Sequence, residues 1–219
     1  MTRLCDIVIS SLALTILLPF LIPICIILRL TGEGEVFYKQ ERIGQNGVPF
    51  SLIKFATMMK ASPQLGAGAF TITDDPRILP LGRILRKTKI NELPQIINIL
   101  IGDMSIVGPR PLMQKQFRFY EEDARRKIFS RRPGLTGIGS LVFRDEERFF
   151  DGSSNPEEIY RTKISPAKEI LELWYAENSN LALYFFLIFM TALAVMFPRL
   201  EVSFILSGDI RKQLNEILG

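Results

Sequence analysis

The feature that most narrows the choice of fold is a nearly unbroken apolar run, Ile7–Leu28, interrupted only by Ser10, Ser11, Thr15, Pro19 and Pro23. As a helix rising about 1.5 Å per residue it is long enough to cross a hydrocarbon core of about 30 Å. Two features oppose a straight crossing. Pro19 removes the amide that would pair with the Thr15 carbonyl, and Pro23 does the same to Pro19; an interior helical proline costs on the order of 3 kcal/mol. The flanking charges also set no orientation, since Arg3 precedes the run while Arg29, Lys39 and Arg42 follow it. A re-entrant helix that enters and leaves on one face satisfies both observations. A kinked spanning helix is the competing reading; a signal peptide is disfavoured because no small-x-small cleavage site follows.

The rest of the chain suits a protein seated on such an element. At 219 residues it holds one catalytic-sized domain plus a membrane segment, and its 47% hydrophobic content and mean hydropathy of +0.20 are high for a purely soluble globule. A net charge of +4 suits anionic lipid or phosphorylated ligands. No zinc-finger spacing, RNP motif or basic-zipper pattern supports nucleic acid. Cys5 and Cys25 flank the apolar run and imply no disulfide framework. The chain has no histidine. Imidazole acid–base catalysis, Ser-His-Asp and Cys-His systems and His-ligated zinc are thereby excluded. Chemistry is left to carboxylates, Lys, Arg, Tyr, hydroxyls and a hard cation.

The densest chemistry lies in Arg86–Pro111, RKTKINELPQIINILIGDMSIVGPRP. A basic run (Arg86, Lys87, Lys89) meets one acid, Glu92, then an apolar helical run, then Gly108-Pro109-Arg110-Pro111. Arginine forks onto phosphate oxygens, and prolines on both sides of Arg110 restrict its backbone before any ligand arrives. Asn91 is also a good helix N-cap, with Pro94 tolerated in the first turn, so capping is expected to coexist with a site here. Upstream, Val36-Phe37-Tyr38 and Phe50–Ile53 flank a Gln45-Asn46-Gly47 turn and predict a hairpin that ends at Lys54. Ala61–Pro80 reads as a loop at the site mouth, and Leu79–Lys87 as a basic amphipathic helix able to lie on anionic lipid. Leu112–Ser130 predicts one charged helix, and Arg131–Gly139 a Gly-rich loop whose amides could approach a pyrophosphate. Asp151–Pro156 is a linker, Pro166–Asn178 an amphipathic helix carrying Trp174, Leu181–Phe197 an apolar helix that is interfacial or spanning, and Glu201–Gly219 a short polar tail helix.

These motifs resemble the bacterial sugar transferase family, the monotopic phosphoglycosyl transferases that act on polyprenol phosphate. Phe37–Gly44, Lys54–Met58, Gly102–Pro111 and Arg132–Gly137 recur in the family's order and spacing, over roughly residues 5–197. The resemblance implies an α/β fold, mainly helical with a small sheet: a re-entrant membrane helix at 1–32, a cytoplasmic catalytic domain with interfacial helices at 33–200, and a tail at 201–219. It places the helix break at a Ser-Pro pair, where Leu18-Pro19 stands here. It implies transfer of a sugar-1-phosphate from a UDP-sugar to undecaprenyl phosphate, the first step of a surface glycan, on the cytoplasmic face of the bacterial inner membrane. The partners it implies are those two substrates, membrane lipid, a second copy of the chain and downstream glycosyltransferases.

By position, Asn91 and Glu92 are the catalytic pair. Lys54, Arg86, Arg110 and Arg132 are expected to neutralise the diphosphate, and Gly134, Gly137 and Arg144 to line the nucleotide side. The cation that suits phosphoryl chemistry without histidine is Mg2+, with Glu92 and Asp103 as candidate ligands; Asp103 equally suits turn stabilisation. Two departures stand out. The acidic cluster Asp145–Glu147 replaces a Gln and a Gly-Arg, and Asn91 replaces the aspartate whose carboxylate would attack the β-phosphorus. Three outcomes follow: Glu92 or a carboxylate of Asp145–Glu147 takes over, the lipid phosphate attacks directly, or the chain is a catalytically impaired binding member of a glycan assembly complex.

Overall fold

A computed structural model describes residues 2–65, 75–150, 155–197 and 206–218. The Gly-rich middle of the expected loop at 61–80, most of the expected 151–156 linker and the expected boundary at 200/201 lie outside the described residues.

The apolar run forms one helix, α1 (Thr2–Leu30), with both prolines inside it. The expected break at Pro19 does not interrupt the helix. Each proline deletes a single amide, and the turns on either side keep theirs. The Thr15 hydroxyl donates to the Ser11 carbonyl at 2.9 Å, so it serves the turn before the proline and not the carbonyl that Pro19 frees. At 29 residues α1 is about 42 Å long, yet both of its ends rest on the same domain. Arg3 donates to the carbonyls of Ile99 and Leu100, while Leu21 and Leu28 pack with Phe55 and Leu85. Leu12, Ile16, Phe20 and Ile26 face outward, exposed.

The domain is mostly helical with two small two-stranded sheets. Strands β1 (Phe37–Ile43) and β2 (Pro49–Phe55) form the expected antiparallel hairpin, with Tyr38 opposite Lys54 and Arg42 opposite Phe50. Its turn needs left-handed backbone at Asn46 (φ 56) and Gly47 (φ 76), which Asn and Gly tolerate best. Helix α2 (Pro80–Lys87) starts on a proline. Helix α3 (Gln95–Ile101) ends at Gly102 (φ 102). Asn98 on α3 accepts from the Ile53 amide at 3.0 Å and donates to the Ser51 carbonyl at 2.8 Å, which joins α3 to β2.

Strand β3 (Ser105–Val107) follows. The predicted helix over Leu112–Ser130 is instead two short ones, α4 (Gln114–Phe117) and α5 (Glu122–Ile128). The chain turns between them because Tyr120 is drawn inward against Ile43, Leu112 and Phe129. The expected Gly-rich loop contains a strand, β4 (Gly134–Thr136), parallel to β3, with Ser105 opposite Gly134 and Val107 opposite Thr136. Helices α6 (Ile138–Val142) and α7 (Pro156–Ile159) lead through a π-helical turn at Tyr160–Ile164 into α8 (Ser165–Asn178). Helix α9 (Leu181–Met196) buries Tyr184, Leu187, Met190 and Ala194 and exposes Phe185, Phe186 and Phe189. The last helix, α10 (Gly208–Leu218), is no separate tail: Ile210 and Leu214 belong to the main core with Met104, Ile138, Leu171 and Leu187.

Candidate active site

The first site residues come from the end of the hairpin. Lys54, the penultimate residue of β2, reaches Glu92, whose Oε1 lies 3.5 Å from the lysine Nζ. Glu92 sits on a one-turn 3₁₀ segment, Ile90–Glu92, launched by Lys89 in left-handed backbone (φ 58). Across the hairpin, Arg42 donates to Gln40 Oε1 (2.6 and 3.2 Å) and to the Pro111 carbonyl (3.3 Å), which fastens β1 to the Gly-Pro-Arg-Pro turn.

That turn is held from below by β4. The Gly134 amide donates to the Pro109 carbonyl at 2.8 Å, and the Gly108 amide to Thr136 at 2.9 Å. A Cβ on Gly108, Gly134 or Gly137 would overlap the opposing backbone. Glycine at 134 and 137 is therefore required by backbone packing, with Gly134 in a strand and not in an open loop.

Electrostatics show what converges. Burial raises the Glu92 carboxyl, but the charges of Lys54, Arg110 and Lys89 outweigh it and hold the group at about 2. Burial pushes Lys54 down to about 8; Glu92 opposes that fall, and Arg42, Arg110 and Arg86 add to it. Burial and Arg110 lower Arg42 to about 10. Glu92 thus stands among the charges of Lys54, Lys89, Arg110 and Arg42, with Arg86 acting on Lys54 in turn, a cation-rich group suited to a polyanion.

Behind Arg110 lies a second, buried group that the sequence did not reveal. The Arg110 amide donates to Glu172 Oε1 at 3.2 Å, and Glu172 Oε2 is buried with no hydrogen-bond partner. Lys168 pairs with Glu146 and sits over the rings of Tyr160 (5.2 Å) and Phe143 (5.4 Å). Glu172 and Lys168 are each only 2% exposed. Burial lifts Glu172 to about 7, against the Arg110 amide and the charges of Lys168 and Arg110. The available signal was spacing: both charges fall on the buried stripe of Ile164, Ala167, Leu171 and Tyr175 along α8.

Other expectations are redirected. Asn91 is no helix cap: α3 begins four residues later, with Pro94 at its N-cap position, and Asn91 Oδ1 is buried without a hydrogen-bond partner. Asp103 accepts from Asn98 Nδ2 at 3.2 Å and serves the turn after α3. Arg144 donates to the Ala194 carbonyl in the last turn of α9 (2.6 Å) and lies 3.8 Å from Asp145. Glu146, in the acidic cluster Asp145–Glu147, pairs with Lys168. Arg132 meets the turn through its carbonyl, packed against Gly108.

Among the described residues no three Asp, Glu, Cys or His groups converge as a metal cage. The Glu92 carboxylate and the orphaned Asn91 Oδ1 are nonetheless two hard oxygens on one turn. That is a fitting protein share for Mg2+, which takes one or two protein oxygens and completes its shell with phosphates and water.

The Glu92 carboxylate, paired with Lys54 and under the charges of Arg110 and Lys89, stands in a domain that also carries a long helix with an exposed apolar face. The chain belongs to the bacterial sugar transferase family, whose model matches residues 1–198. It is 31% identical to the exopolysaccharide production protein ExoY of Sinorhizobium fredii over 89% of this chain and 84% of the relative. It is 32% identical to the UDP-glucose:undecaprenyl-phosphate glucose-1-phosphate transferase of Caulobacter vibrioides over 78% of this chain and 62% of the relative. It is also 30% identical to the UDP-N-acetylgalactosamine-undecaprenyl-phosphate N-acetylgalactosaminephosphotransferase of Aeromonas hydrophila, over 87% of this chain and 42% of the relative.

Proposed function

We propose that this chain transfers a sugar-1-phosphate from a UDP-sugar to undecaprenyl phosphate, at the cytoplasmic face of a bacterial inner membrane, to begin a surface polysaccharide. The observation that carries this reading is the half-buried Lys54–Glu92 ion pair at 3.5 Å, with the charges of Arg110 and Lys89 on the same carboxylate. The similarity to transferases named for undecaprenyl phosphate supports the acceptor.

Lys54, Arg86, Lys89 and Arg110 bind the donor diphosphate, and Arg42 holds the Pro111 side of the turn so that Arg110 keeps its aim. Phosphoryl transfer asks chiefly for charge neutralisation and in-line positioning, which fixed cations supply. Glu92, with Asn91 Oδ1, would hold a Mg2+ that arrives with the diphosphate. When bound, that ion supplies further neutralisation of phosphate charge.

The displacement is direct. An oxygen of the lipid phosphate forms a bond to the β-phosphorus as the bond from that phosphorus to the α–β bridging oxygen breaks, and UMP leaves with the electron pair. Two facts favour this over a covalent enzyme intermediate. A carboxamide at Asn91 is a poor nucleophile, and a Glu92 carboxylate held at about 2 with Lys54 beside it is weakly basic. Incubation with UDP-sugar labelled in the sugar, without lipid, is expected to leave the protein unlabelled in wild type. A phosphosugar-protein adduct on Glu92 would replace direct transfer with the two-step route.

The membrane seat is supported by α1. Its two ends rest on one domain, Arg3 and Arg29 stand near its two ends, and its outward row is apolar. A continuous helix so held lies along the domain, and its outward apolar row, with the exposed Phe185, Phe186 and Phe189 of α9, is the face that meets the membrane interface.

A further inference from the structure

Asp6 is an acid one turn into an apolar helix, and it is 1% exposed. Its Oδ1 accepts three hydrogen bonds: from the Ser105 hydroxyl (3.0 Å), the Ile106 amide (2.9 Å) and the Tyr184 hydroxyl (2.8 Å). These donors belong to β3 and α9. β3 pairs on one edge with β4, and the Asp6 carboxylate takes up the Ile106 amide outside that pairing, as the carbonyl of a neighbouring strand would. Arg110 follows four residues after Ile106. One side chain therefore joins the first turn of the apolar helix, the strand that leads to the phosphate-binding turn, and the interfacial helix. Arg3, one turn earlier, binds the carbonyls of Ile99 and Leu100 near the end of α3.

We propose that Asp6 is a positioning residue that clamps the start of α1 to β3 and α9, and so determines that both ends of the helix stay on the domain's side of the membrane. An ionised or strongly polar group at this position is costly to drag through hydrocarbon and gains three donors by staying, so it opposes a crossing twice over. The proline positions weaken a straight helix; the clamp decides where its beginning goes. This rests on the membrane seat proposed above.

The test places reporter cysteines in a full-length chain carrying Cys5→Ser and Cys25→Ser, at Thr2→Cys and, as the domain-side reference, at exposed Lys212→Cys. A membrane-impermeant maleimide is applied to spheroplasts and to inverted vesicles. With Asp6 intact, both reporters are expected to react in inverted vesicles only. Asp6→Leu is expected to raise spheroplast labelling of Thr2→Cys by roughly tenfold or more, the shift that loss of three buried hydrogen bonds allows. Asp6→Asn, which keeps an oxygen for the same donors, is expected to restore the original pattern. If Asp6→Leu does not accumulate, Ser105→Ala with Tyr184→Phe removes two donors without touching the helix, and the same displacement at smaller amplitude is expected. Labelling of Thr2→Cys from outside with Asp6 intact would overturn the membrane seat itself. A correct seat that neither set of variants disturbs would overturn the clamp alone.

Discussion

Glu92 and Lys54 carry the site's charge balance, and each has a signature in pH. Glu92 lies below its ordinary range, at about 2. Its contribution to stability is thus complete above about pH 4.5 and is lost as pH falls toward 2. Glu92→Gln is expected to lower transfer on the order of 100-fold or more and to remove that part of the acid sensitivity, read from unfolding midpoints between pH 2 and 5. Lys54 is depressed to about 8, so kcat/KM is expected to fall as pH rises through about 8, and Lys54→Arg to shift that limb upward past pH 10. An unmoved alkaline limb would assign it to another group. Glu172, raised to about 7, binds a proton more readily folded than unfolded. Stability is therefore expected to decline as pH rises from about 4.5 to 7, and Glu172→Gln to flatten the decline. Lys54, Arg86, Glu92 and Arg110 were legible because they stand inside recognisable motifs. Lys168 and Glu172 were not, because a Lys and a Glu four residues apart on a helix ordinarily read as an exposed pair. The contact of Arg144 with the carbonyl end of α9 was equally hidden, because charge beside a Gly-rich segment suggests phosphate and not a helix end.

At the scale of elements, the site depends on two three-residue strands whose backbones touch. A methyl at Gly134 would enter the Gly108 and Thr136 backbones, neither of which can yield as a side chain would. Gly134→Ala is expected to destabilise the protein by about 3 kcal/mol, read as a lowered Tm, with a matching loss of activity because the turn carrying Arg110 moves. The hairpin was legible from its Asn-Gly turn and flanking aromatic residues. The parallel pair was not: bounded by Pro109, Pro133 and glycines, each strand is too short to show an alternating pattern and reads as turn. The single helix expected over Leu112–Ser130 failed because the charged stretch hides Tyr120, whose burial against Ile43 and Phe129 bends the chain.

For the whole molecule, the exposed faces of α1 and α9 are continuous with the domain that bears the site, since Asp6 and Tyr184 share a hydrogen bond. Replacing Phe185 and Phe189 with Ser removes exposed apolar area without entering the core. The double variant is expected to release a larger fraction of protein from membranes at high salt, measured by flotation, with fold retained. The membrane-seated class was legible from the apolar run alone, while the inclusion of α10 in the core was not, because its polar face dominates its composition and only Ile210 and Leu214 reach inward. The site around Glu92 is proposed to let a lipid phosphate take a sugar phosphate from its nucleotide. The most direct measurement is UMP release by purified protein in nanodiscs, across a panel of UDP-sugars, with and without undecaprenyl phosphate, for wild type, Asn91→Asp and Glu92→Gln. UMP is expected only when the lipid phosphate and an accepted UDP-sugar are both present, and to fall at least about 100-fold with Glu92→Gln. Wild-type protein that releases no UMP with any donor, or release that Glu92→Gln leaves unchanged, would contradict it.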